Sequence, residues 1–182
     1  MQHTETVVVA KEAITLLESL KMFTQYKRWA NQTSYTVLEQ VEDVELYKQR
    51  QTNFKSIIST LNHSYVVDDI FKAHLTDTEH QYQQRNTEQK LTFAQLCDKQ
   101  RQMDAWYIDY VNTLESPDYG QRISFEYVGG GSGNMSVGEI ILHVVNHNTY
   151  HRGFVSDMMY QIPVTPTAND LTVFLRDHYQ LI

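Results

Sequence analysis

Three histidines recur at steps of four near the C-terminal end of the chain: His143, His147 and His151 in HVVNHNTYHRG. On an α-helix, residues four apart lie about 40° apart around the axis and about 6 Å apart along it. The spacing therefore lines one helix face with imidazoles. Such a stripe can pack, titrate, or hold a divalent ion. His147 and His151 can reach one ion from the same helix. HExxH zinc proteases use the same spacing, but Asn148 follows His147 here, so that general base is missing. His143 lies about 12 Å from His151 along the axis. It reads as a core residue, or as one that supports a ligand through a ring N–H.

Two imidazoles make an incomplete site, and a third ligand must come from another helix. His63, in TLNHSYVVDDIF, lies inside an apolar stretch and can face a core. His74 closes that stretch and His80 lies in polar text beyond it. Against a metal stands an ordinary alternative. HxxxH pairs arise by chance, and a buried histidine is more often a hydrogen-bonded core residue than a ligand. Spacing alone does not show that His63, His147 and His151 meet. If they do, three histidines leave a position open, as catalytic rather than structural zinc sites do.

Four amphipathic stretches would have to position these residues. The first runs from about Leu16 to Val41 with apolar residues at three- and four-residue steps; Asp43 beyond it can cap a short extra turn. The second runs from about Phe54 to Leu75 and carries His63. The polar run TDTEHQYQQRNTEQK, residues 76 to 90, reads as an exposed connection. The third begins at a capping box, Thr92 with Gln95, and stops before Ser116-Pro117. RISFEYV followed by GGGSG then predicts a short hairpin or extended loop. The fourth begins at a second capping box, Ser136 with Glu139, and ends near Gln161 before Pro163. A short closing helix is expected from about Asn169 to Tyr179. The expected architecture is all-α: one domain over residues 1–182, a four-helix bundle with a short extra helix and a small hairpin or loop before the last bundle helix.

Bulk properties narrow the function. The net charge is −7 and no cluster of Lys and Arg resembles a nucleic-acid footprint. No run approaches the ~18 apolar residues of a membrane span, and MQHTETVVVAKEA is a poor signal peptide. The single cysteine, Cys97, permits no intrachain disulfide, which fits a reducing compartment. A cytoplasmic protein without nucleic-acid or membrane partners is expected.

Several segments, in order, resemble the DinB/YfiT-like superfamily: YKRWANQ at residues 26 to 32, SIISTLNHSYVVDDIFKAHL, FEYVGGGSGNMSVGEIILH, ILHVVNHNTYHRG and ANDLTVFLR. The resemblance covers most of the chain. It implies a DinB-like four-helix bundle with a divalent metal held by three histidines, which map by motif onto His63, His147 and His151. It also implies a frequent homodimer. Phe154 stands where Gln is frequent after Arg-Gly, and Phe71 where Trp is frequent after the first histidine. Neither is a ligand position, and both can reshape a pocket. Relatives of the fold include thiol-dependent S-transferases and a mycothiol-dependent isomerase.

Three neutral imidazoles would leave a bound ion its full charge, enough to ionise a thiol or acidify water. The expected function is therefore metal-dependent chemistry on a small-molecule substrate, as a thiol S-transferase or a hydrolase. The metal is zinc or nickel first, with iron or manganese as alternatives, and a low-molecular-weight thiol is a candidate cofactor. A non-catalytic metal protein and a metal-free interaction module are the competing readings. Among other polar residues, Asn62, Asn146 or Asn148 can orient an imidazole. Arg152 is read as a surface or interhelix ion pair before an anion contact, and Asp68 and Asp69 as solvated or paired carboxylates. Trp29 and Trp106 are read as core, and Cys97 as a small apolar residue.

Overall fold

In the computed structural model, residues 14–88 and 91–179 are described; the segment MQHTETVVVAKEA, read above for targeting, lies outside them. Helix α1, Leu16–Leu38, starts where Thr15 and Glu18 satisfy each other's backbone N–H in a capping box. It ends three residues short of Val41. Helix α2, Asp43–Tyr47, is the expected extra turn, but Glu42 is its N-cap and no side chain caps it. Asp43 sits inside the first turn instead, where a carboxylate still meets the positive helix end.

Helix α3, Ile57–Leu75, is capped by Ser56, whose hydroxyl accepts from the Ser59 N–H at 3.2 Å. The residues just before it form a tight turn in which Lys55 takes φ 67°, so Phe54 lies outside the helix. Helix α4, Phe93–Thr113, and helix α5, Val137–Met159, open on the two expected capping boxes, Thr92 with Gln95 and Ser136 with Glu139. Between them lie a single 3₁₀ turn, Asp118–Gly120, and a hairpin of β1, Arg122–Glu126, and β2, Ser132–Ser136. The strands are antiparallel with Ile123 opposite Met135 and Phe125 opposite Gly133. Gly129, Gly130 and Gly131 all have positive φ at its tip, a backbone that other residues adopt only under strain. A short helix α6, Leu171–Asp177, follows.

Helix α1 packs against α4 and α5, and α3 packs against the same two. The four long helices thus form a bundle with α1 diagonal to α3. One apolar cluster, including Leu20, Val67, Phe71, Tyr107, Ile140 and Val144, fills the end near the hairpin. A second, including Leu38, Leu46, Ile57, Leu96 and Met158, fills the other end. Phe174 of α6 covers Tyr26, Ala30 and Val145. Among the described residues, no helix is long and apolar enough to cross a membrane.

Polar residues occupy the middle of the bundle. Lys27 of α1 is 1% exposed. Its ammonium lies 2.7 Å from Asp68 Oδ2 and also contacts Asp104. Gln100 donates to both carboxylates, Asn31 to Asp104, and Asn148 to Asp68. Burial opposes the Lys27 charge, but Asp104 and Asp68 outweigh it and hold the ammonium pKa above its usual value. For Asp68, burial raises the carboxyl pKa and prevails over Lys27, which lowers it. The two directions disagree about which partner gains. We take Lys27 as charged, since it touches two carboxylates while each of them touches one ammonium.

Candidate metal centre

Helices α3 and α5 are neighbours, and His63, His147 and His151 meet across their contact. The Nε2 atom of His147 lies 3.2 Å from Nε2 of His63 and 3.0 Å from Nε2 of His151. One ring nitrogen from each of the three falls within 4.8 Å of the others. His63 and His151 are buried and His147 is half-buried.

Hydrogen bonding accounts poorly for this arrangement. Nδ1 of His63 faces the Arg85 carbonyl at 3.2 Å. A carbonyl only accepts, so this nitrogen carries the proton and Nε2 presents a bare lone pair. His147 Nε2 can donate to one neighbour but not to both. Nδ1 of His147 and of His151 are buried with no hydrogen-bond partner among the described residues. A divalent ion fits the geometry better. Bonds of about 2.0–2.1 Å in a tetrahedral arrangement put ligand nitrogens about 3.3 Å apart, close to the separations seen.

The electrostatics point the same way. Burial, then the neighbouring His151 and His63, push the His147 pKa down to about 2. Burial and then His63 push His151 down to about 4. Burial is also the main cause of the lowered His63 pKa, against the Arg85 carbonyl bond that favours its charge. All three are therefore held as neutral imidazoles, the form that binds metal. Their rings are set by packing. Phe54 lies 4.8 Å from the His63 ring and edge-on to His151 at 4.7 Å, and Phe154 stacks at 6.1 Å on His151.

The other side of the cluster opens on a cavity of about 610 Å³, lined in part by His143, His147, Phe71, Met135 and Arg85. This is within the range of small-molecule sites. His143 stands outside the three-histidine cluster. Its ring packs on Phe71 at 4.6 Å, and burial lowers its pKa. His74 also lines the cavity, stacked on Phe125 at 4.5 Å. His80 lies beside His74, away from the three. Phe71 and Phe154 thus sit at the cavity and against a cluster ring.

Arg152 and the asparagines beside the histidines take different roles from those expected, whereas Asp68, Asp69 and Cys97 take the expected ones. Arg152 is buried without an ion pair among the described residues. It donates to Asn31 Oδ1, the Tyr26 hydroxyl and Thr149 Oγ1. Asn62 donates to Thr87, Asn148 belongs to the central polar network and Asn146 is exposed. Among the described residues, the groups that favour the charged form of a cluster imidazole by hydrogen bonding are the Arg85 carbonyl and the Asn86 side chain, both on His63. Asp68 is paired with Lys27, and Asp69 accepts from the Tyr82 hydroxyl at 2.7 Å. Trp29 and Trp106 are half-buried, Trp106 stacking on Tyr110. Cys97 is buried, and burial pushes its thiol up to about 12, which suits packing rather than nucleophilic attack.

Sequence reasoning missed Arg85 and Lys27. Nothing in the polar run 76–90 distinguishes the residue whose carbonyl returns to His63. Lys27 had a signal: Lys27 with Asn31, Gln100 with Asp104, and Asn148 with Arg152 are polar pairs four apart on otherwise buried helix faces.

"Protein DinB" of Bacillus subtilis (strain 168) is 27% identical over 158 residues, covering 83% of this chain and 90% of that protein. The DinB family model matches residues 16–180, a span holding all four bundle helices and the three histidines. On that match, the chain belongs to the DinB family.

Proposed function

We propose that this protein is a divalent-metal-dependent enzyme that acts on a small molecule at His63, His147 and His151. The observation that carries the reading is the convergence of three neutral ring nitrogens from two helices, with Nε2 atoms 3.0 and 3.2 Å apart. A structural zinc site normally closes with four protein ligands; among the described residues, this three-histidine group is the one that can hold an ion. That favours an open, reactive position over a purely structural ion.

A bound divalent ion would supply Lewis acidity, enough to ionise a thiol or acidify water. The chain's own contribution is positioning. The His63 Nδ1–H donates to the Arg85 carbonyl and turns Nε2 toward the cluster. Phe54 and Phe154 cover one side. The cavity beside His147 leaves the other side open to a substrate. Thiol transfer to an electrophile is the first reaction class we assign, and hydrolysis the second, with zinc or nickel as the metal. A cytoplasmic setting and a homodimer belong to the same reading; solution mass tests the dimer.

The test is elemental analysis of untagged protein purified without chelators or added metal. About one divalent ion per chain is expected, lost in each of His63→Ala, His147→Ala and His151→Ala and kept in His143→Ala. Loss in His143→Ala with retention in His63→Ala would overturn the ligand assignment. A protein that carries no metal, and gains no thermal stability from zinc, nickel or manganese, would overturn the reading as a whole.

A further inference from the structure

The cavity beside His147 has two chemical characters. Its wall is apolar, built from Val67, Ile70, Phe71 and Met135. Its one permanently charged lining residue is Arg85. No Asp or Glu is among the described residues that line it, although the chain as a whole carries −7. Arg85 is exposed, and its guanidinium makes no hydrogen bond or ion pair among the described residues. Its backbone is nevertheless tied down, because the Arg85 carbonyl accepts from His63. A cation without a partner among the described residues thus lines an apolar cavity, on a backbone tied to His63 of the candidate metal centre. Guanidinium pairs with carboxylate, phosphate or sulfonate through parallel N–H donors.

We propose that the substrate is a small organic anion, with its apolar body on Val67, Ile70, Phe71 and Met135 and its oxyanion group on Arg85. Arg85 and His147 both line the cavity, so the bound molecule lies beside the candidate metal centre. The inference rests on the proposed function for where the reacting end lies, while the anion pocket itself does not require a metal.

The test uses three probes with one skeleton: 3-phenylpropanoate, 3-phenylpropanol and 3-phenylpropylamine. Binding is followed by calorimetry and by amide chemical shifts, on chelator-treated protein and on zinc-loaded protein. In chelator-treated protein the acid should bind about 10-fold more tightly than the alcohol, and the amine weakest. Arg85→Gln, an exposed change, should bring acid and alcohol within about twofold of each other. Met135→Trp, which fills the cavity, should weaken all three probes.

An alcohol that binds as well as the acid would overturn the proposal, as would an acid preference that survives Arg85→Gln in chelator-treated protein. An acid preference seen only with zinc and untouched by Arg85→Gln would make the anion a metal ligand. That result overturns the Arg85 assignment and leaves the three-histidine site standing. Conversely, an Arg85-dependent preference in a protein that never binds metal supports the pocket while the metal reading fails.

Discussion

Replacing Lys27 with methionine keeps the stem and removes the charge that joins the middle of the bundle. Lys27, Asp68 and Asp104 are 1%, 0% and 3% exposed. Without the ammonium, two buried carboxylates are left with amide donors alone: Gln100 to Asp68 at 2.9 Å and to Asp104 at 3.0 Å, Asn148 to Asp68 at 2.7 Å and Asn31 to Asp104 at 3.0 Å. Breaking a buried pair by removing one partner costs about 3–5 kcal/mol. The surviving amides place Lys27→Met near the lower end, about 3 kcal/mol. The loss should depend on pH. In the variant, a carboxyl escapes by taking a proton, so its folded pKa rises further above the unfolded value of about 3.9 than in the parent, where burial already raises Asp68. A group with a raised folded pKa contributes stability at low pH that is lost as pH rises through that pKa. The gap between variant and parent should therefore narrow by more than about 1 kcal/mol from pH 8 to pH 5. Urea unfolding of chelator-treated proteins measures it, and titrating histidines largely cancel in the difference. Adding Asp68→Asn to Lys27→Met should recover about 1.5 kcal/mol or more, since one buried carboxylate then remains. A cost below about 1 kcal/mol at pH 8 with no pH dependence would refute the reasoning.

The chelator-treated parent should itself lose stability as pH falls below the unfolded histidine value of about 6.5. His147 at about 2 and His151 at about 4 stay neutral when folded but charge when unfolded. A depressed folded pKa gives stability that is complete above the unfolded pKa and lost on acidification. By pH 5 each should cost up to about 2 kcal/mol. A flat urea-unfolding profile between pH 7 and 5 would show that these imidazoles are not held neutral. At the hairpin, a Cβ on Gly133 would lie 2.5 Å from Phe125 Cε2. Phe125 is held against His74 and Phe71, so Gly133→Ala should cost about 1–3 kcal/mol. An unchanged unfolding midpoint would mean that the ring moves freely.

Helix positions and the ligand candidates were both readable before the fold, for local reasons. Thr92 with Gln95 and Ser136 with Glu139 mark helix starts because a capping box closes within four residues. The pairing of His147 with His151 follows from one helical turn. The choice of His63 rested on its place in an apolar face and on family motifs, and the contact of α3 with α5 brings it to His147 across 84 residues of chain. What local patterns could not supply were the contacts made at long sequence separation. Arg85 looks like any residue of a polar connection, and its role exists because its carbonyl folds back to His63. Asp68 read as solvated or paired, and its partner Lys27 was missed, because burial of a charge depends on which helices surround it. Arg152 seemed to call for an acidic partner, yet the bundle offers it the oxygens of Asn31, Tyr26 and Thr149. Periodicity fixes which face of each helix turns inward, whereas the partners found there are set by the packing of four helices together.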